Sequence, residues 1–276
     1  MQNGQGNIKP GQFFVLKFDF SIVAASPNPE EAYQSWIGFL NSSLKGFYST
    51  YVTYLGGDFT ALCGNINEQD PINSLHMCKQ LVEFALQEPG NESVQGIYLL
   101  VDEYDSFANA FLEPLDSDAR YKTAWMDTQV GQSFKAFWST MKWMRSEGVI
   151  RRIFITGISP LSLSNIGSAF NIARNLSFHK GLAGICGLTN SELDDALKVI
   201  GKDSDTRRRI LSEMARLFNR YHFCRTEQVN PVYNTETCLQ YLQSIVEGTS
   251  PQTQDPQNSE ISQLFIESGM TRDNPY

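Results

Sequence analysis

The chain has 276 residues, 41% of them hydrophobic and 12% aromatic, the make-up of a folded globular protein long enough for one large domain and an appendage. Thirty acidic residues against 22 basic ones leave a net charge of -8. That balance speaks against a general nucleic-acid binder, whose footprint is a basic stripe.

In chain order, "FFVLKFDF" (13–20) reads as a strand, rich in Phe and Val and preceded by the breaker pair Pro10-Gly11. "NPEEA" opens a helix: Asn28 is placed as N-cap, Pro29 as first helical residue, and Glu31 completes a capping-box pattern. Its apolar stripe is Tyr33, Trp36, Ile37, Leu40 and Leu44. A second helix is predicted from Asp70-Pro71, with Ile72, Leu75, Cys78, Val82 and Leu86 inward and "EPGN" as its stop. A strand over 97–101 follows, then a polar, irregular stretch at 113–129. From about 130 a helix carries Phe134, Phe137, Trp138, Met141 and Met144 on one face, and Gly148 ends it. "RRIFIT" (151–156) is the next strand, and "NLSF" (175–178) reads as a further short one. Short apolar strands separated by helical patterns predict an α/β fold, a mostly parallel sheet flanked by helices.

From Thr189 the character turns helical. Thr189 and Glu192 form a capping box, Gly201 ends that helix, a second runs through Ile210, Leu211, Met214, Leu217 and Phe218, and a third spans roughly 235–246. "GTSPQTQDPQNSE" has no apolar residue and reads as a disordered linker, with at most a helical turn in "ISQLFIESGM". The expected organisation is therefore an α/β core over 1–188, a small all-helical lid over 189–247, and a mostly disordered tail over 248–276.

The five cysteines (63, 78, 186, 224, 238) are odd in number, scattered and without a C-x-x-C pair, as expected of reduced thiols in an intracellular protein, cytoplasmic or nuclear. The three histidines lie far apart, which leaves no zinc spacing. No apolar run has the length of a membrane span, and the N-terminus does not read as a signal peptide.

The densest chemistry is in "GIYLLVDEYDSF" (96–107): an apolar run, then Asp102, Glu103 and Asp105. In a parallel sheet ligands bind beyond the carboxyl ends of the strands. A buried strand ending in Asp-Glu is the pattern of a Walker B segment. The first acid holds magnesium, usually through its waters, and the second orients or deprotonates the water that attacks the γ-phosphate. The bland reading is an acid that caps the next helix; for Asp105, before "SFANAFL", capping is the preferred role.

Together with "RRIFITGISPLSL" and "NLSFHKGLAGICGLTNSEL", the segment "YLLVDEYDSF" resembles the AAA-ATPase-like domain proteins, phosphate-loop NTPases of the additional-strand-and-glutamate class. The resemblance covers roughly 12–245, with departures at Asn219-Arg220-Tyr221 and Thr235. It implies Mg2+ and ATP as cofactors, Asp102 as magnesium ligand, Glu103 as catalytic base, Thr156 or Ser159 as the polar sensor, and Arg174 or the 207–209 run as a charge toward the γ-phosphate. For the arginine run a solvated helix face is the commoner role.

No G-x-x-x-x-G-K-[S/T] occurs in the chain. The family places that loop before the strand matching "FFVLKFDF", so the first strand, the loop and its helix are expected to be absent. Three charge-assisted bonds at ~1.5–3 kcal/mol each amount to most of the ~8 kcal/mol that holds a micromolar ligand. Tight ATP binding by this chain alone is therefore not expected. A missing strand would also leave an exposed sheet edge, open to a protein partner or to self-association. Two other readings stand beside the truncated ATPase: a catalytically dead interaction module, and a metal-dependent hydrolase or nuclease using the acids at 102, 103 and 105. "GISP" lacks the second glycine of a serine-hydrolase elbow.

Overall fold

Alternation makes "FVLKFD" a strand, β1 (Phe14–Asp19): Phe14, Leu16 and Phe18 are buried while Val15 and Lys17 face outward. The computed structural model describes residues 10–24, 26, 28–107, 127–157, 172–218, 220–221 and 230–248. The chain divides into two compact units, Met1–Ala173 and Arg174–Tyr276.

In the first unit, helix α1 (Pro29–Tyr51) starts where the sequence places it, with the Asn28 side chain accepting the Glu30 N–H. The expected capping box does not close. The Glu31 carboxylate accepts the Ser26 hydroxyl at 2.7 Å, and that hydroxyl accepts the Asn28 N–H at 3.1 Å, so Ser26 relays between the two. A five-residue helix, α2 (Phe59–Cys63), follows Asp58, whose carboxylate accepts the N–H groups of Thr60 and Ala61. It is too short to show a helical period, so the pattern reading misses it. Helix α3 (Pro71–Ala85) is capped by Asp70. Strand β2 (Ile97–Asp102), helix α4 (Gln129–Ser146) and strand β3 (Ile150–Ile155) complete the order, with Gly148 at φ +78° closing α4.

The three strands pair in the order β1-β2-β3, all parallel, with β2 central. Helices α1, α3 and α4 contribute Trp36, Leu40, Leu75, Val82, Phe137 and Met141 to one apolar cluster with Leu16, Phe18, Leu99 and Val101 of the sheet. The sheet's two faces differ. A central parallel strand is usually buried on both, yet Tyr98, Leu100 and Asp102 on the second face of β2 are only half-buried, and Phe154 of β3 is 51% exposed. The two edges differ as well. The Val15 N–H of β1 donates to the Tyr51 hydroxyl at 2.8 Å, whereas β3 has no strand on its outer side among the described residues.

"NLSF" is not a strand: residues 175–178 are irregular chain and turn, with Leu176 and Phe178 both exposed. An extended segment without a ladder is not favoured, and among the described residues no strand pairs with 175–178. Residues 113–126, the linker after Gly248 and "ISQLFIESGM" lie outside the described residues.

In the second unit, α5 (Asn190–Val199) opens with the predicted capping box, both bonds formed. Helices α6 (Ser204–Leu217) and α7 (Thr235–Glu247) also form, and Gly248 ends α7 in the left-handed conformation. Between them lies a feature the helical reading does not contain, a two-residue antiparallel ribbon of β4 (Arg220–Tyr221) and β5 (Val232–Tyr233). Leu193, Leu197, Ile210, Met214, Tyr233 and Tyr241 form this unit's core. Of the arginine run, Arg207 bridges α5 and α6, its Nε 2.7 Å from Asp194 and its Nη1 on the Lys202 carbonyl. Arg208 pairs with Asp205 in solvent.

Asp203 caps α6. Its carboxylate accepts the Thr206 hydroxyl and the N–H groups of Thr206 and Asp205, and these bonds, the hydroxyl first, lower its pKa from 3.8 to about 2. A depressed carboxylate stabilises the folded state above its unfolded pKa and loses that contribution as pH falls through the folded one. Thermal melts between pH 5 and 2 are therefore expected to fall more steeply for the wild type than for Asp203→Asn, which caps without titrating. Parallel profiles would refute the cap's electrostatic role.

Candidate functional site

Strands β1 and β2 end side by side: Asp19 and Asp102 are Cα partners, and Thr156 lies one residue beyond the end of β3. Because side chains alternate, Asp102 shares the half-buried face with Tyr98 and Leu100, opposite the buried Ile97, Leu99 and Val101. Thr156 Oγ1 donates to Asp102 Oδ1. The backbone fixes this pair from both sides. The Thr156 N–H donates to the Val101 carbonyl at 2.9 Å, and the Tyr104 N–H donates to the Thr156 carbonyl at 3.1 Å. The ladder thus runs past the strands and holds both side chains on rigid backbone.

Glu103, the next residue, is solvent-exposed and has a φ of +46°. Among the described residues it alone, apart from glycines, has a positive φ. The Ser106 N–H closes the turn onto the Glu103 carbonyl at 2.9 Å. Phe107 enters the core, stacked on Trp36 with centroids 5.3 Å apart. Asp105 is buried, and Ser106 and Phe107 are helical in backbone.

Sequence reasoning missed Asp19. Its Oδ1 accepts the Ser21 hydroxyl at 2.7 Å and the Ser21 N–H at 3.3 Å, and Lys17 lies 3.4 Å from Oδ2. The Ser21 hydroxyl is the main cause of its lowered pKa, opposed by partial burial. The signal was present: "FVLKFD", like "IYLLVD", is a strand pattern that ends in an acid.

The structure brings Asp102, Glu103 and Thr156 together at the tips of β2 and β3. Ser159 lies outside the described residues, and Arg174 is an exposed residue of the second unit. Among the described residues no group of three or more His, Cys, Asp or Glu is arranged to hold a metal ion. One carboxylate with a free oxygen, which is what Asp102 offers, suits magnesium, since that ion keeps several waters and takes few protein ligands. No described helix is long and apolar enough to cross a membrane.

No curated protein and no solved structure matches the chain. A family model described as a predicted AAA-ATPase matches residues 2–167, a span that holds all three strands and the Asp102–Thr156 pair. The match covers more than half of the chain, which belongs to the AAA-ATPase-like family.

Proposed function

We propose that Asp102, Glu103 and Thr156 are the hydrolytic half of an ATP site. The observation that carries this reading is the Thr156 hydroxyl on the Asp102 carboxylate at neighbouring strand tips, with Glu103 next in the chain. Magnesium, when bound, neutralises charge on the β- and γ-phosphates. Asp102 would hold that ion through its water shell, with Thr156 fixing the rotamer and occupying one oxygen. Glu103 would accept the proton of the attacking water, a role that needs a carboxylate on a rigid support. Arg174 and Ser159 remain candidates for phosphate contacts.

The 276 residues contain no phosphate loop. The reading therefore includes weak nucleotide binding by this chain on its own. The test is Mg2+-dependent phosphate release from ATP, measured for this chain and for whatever longer product its gene encodes. Turnover in either form, lost in Asp102→Asn at limiting Mg2+, supports the reading. If neither form turns over ATP, a second reading takes its place, an interaction module. The outer edge of β3, which no strand among the described residues pairs, and the exposed Phe154 favour that alternative, since such an edge is a template for a partner strand.

A further inference from the structure

We infer that Gly157 is a positioning residue for Glu103: its bare Cα admits the Tyr104 ring and the Asp105 carboxylate, and the turn wedged there holds Glu103 in the left-handed conformation. The inference rests on the reading of Glu103 as the proposed base and adds what aims it.

A Cβ at position 157 would lie 2.5 Å from both Tyr104 Cδ1 and Asp105 Oδ1. Tyr104 is 7% exposed and Asp105 2%, so neither can swing out into solvent. Gly157 is not among the positive-φ glycines, so the requirement is space rather than backbone freedom. Glutamate, by contrast, has no intrinsic reason to be left-handed. Its Cβ crowds the carbonyl oxygen there, and such strain survives only where the surroundings over-determine the backbone. Three fixings do so here: the Tyr104 N–H on the Thr156 carbonyl, the Phe107 ring on Trp36, and the side chains of 104 and 105 packed against Gly157. The first and third both come from residues 156 and 157. One short segment after β3 therefore sets the Asp102 rotamer, through the Thr156 hydroxyl, and the direction of Glu103, through the turn.

The test compares wild type, Gly157→Ala, Glu103→Gly and the double variant. The readouts are urea midpoints and, in the variants that keep Glu103, the backbone 13C shifts of that residue, which report the sign of φ. Glycine relieves the strain of a positive φ, so Glu103→Gly is expected to raise the midpoint of the wild type. In the Gly157→Ala background the turn is displaced, Glu103 returns to negative φ, and Glu103→Gly is expected to lower the midpoint. A substitution that only weakens packing would leave the Glu103 shifts where they were. If Gly157→Ala does not fold, the cycle is run with Tyr104→Ala in its place, which removes the ring packed against Gly157 without adding a clash. Additive midpoints with unchanged Glu103 shifts overturn the inference. None of these readouts uses nucleotide, so they are separable from the proposed function: turnover that Glu103→Gln leaves unchanged would sink the base assignment while the Gly157–Glu103 coupling stood.

Discussion

Glu103→Gln is expected to lower ATP turnover by about 10²–10⁴-fold, the usual contribution of a positioned general base, while Mg-ATP affinity changes little. The substitution keeps the size and shape of the side chain and its ability to hydrogen-bond. It removes only the capacity to take a proton. Glu103 is solvent-exposed at the tip of the central strand, so the loss of charge leaves no buried group unpaired, and the melting temperature is expected to stay within about a degree or two of the wild type. Asp102→Asn should behave differently. The amide oxygen can still accept from Thr156, but a neutral side chain holds a magnesium water shell less well, so the Mg2+ concentration needed for half-maximal turnover rises. The two variants thus separate along two measured axes, kcat at saturating Mg2+ and the Mg2+ requirement itself. If Glu103→Gln shifts the Mg2+ requirement with kcat intact, the roles of the two acids are exchanged. If it shifts neither, Glu103 is not the base.

The two acids were legible because strand and chemistry share one short stretch. The apolar run over 97–101 predicts a buried strand, the acids fall at its end, and a parallel sheet puts strand ends together. Capping was legible at Asn28 and Thr189 for a similar reason, since each cap bonds within three residues of itself. The features that escaped depend on distant partners. Asp19 matters because register sets it beside Asp102, far along the chain. Gly157 has no local signature, because what it admits is the ring of Tyr104 from another strand's turn. "NLSF" has strand composition, yet no strand among the described residues pairs with it, and composition carries no record of strand partners. The two-residue ribbon of β4 and β5 is below the length at which any period can be read.

The site's rigidity also depends on a residue that never meets substrate. Trp36→Ala is expected to destabilise the protein by about 3–5 kcal/mol, the range for deleting a large buried aromatic. Trp36 is fully buried, its ring centroid between 5.3 and 5.9 Å from those of Phe20, Phe39, Phe107, Phe134 and Phe137, and its Nε1 donates to Ser133 Oγ at 3.0 Å. Truncation removes a ring from the centre of an aromatic nest that α1, α4 and the segment after β1 fill together, and the rings around it are rigid planes that fill such a space poorly. For a unit of this size that loss lowers the melting temperature by roughly 10 °C. The urea midpoint should fall with the slope unchanged, since the folded architecture is the same. Trp143 is the natural control. It is 39% exposed and lies under the Lys79 ammonium at 4.6 Å, so its truncation should be worth only about 1 kcal/mol. The larger loss has a local consequence too. Phe107 stacks on Trp36 only four residues after Glu103, so its removal frees one of the three fixings of the acidic turn. Hydrogen exchange at the Ser106 amide, which is bonded to the Glu103 carbonyl, is expected to be slow in the wild type, to speed up in Trp36→Ala and to stay slow in Trp143→Ala at matched global stability. Equal exchange in the two variants would mean that the turn is held by β3 alone, with the aromatic nest serving the core and not the site.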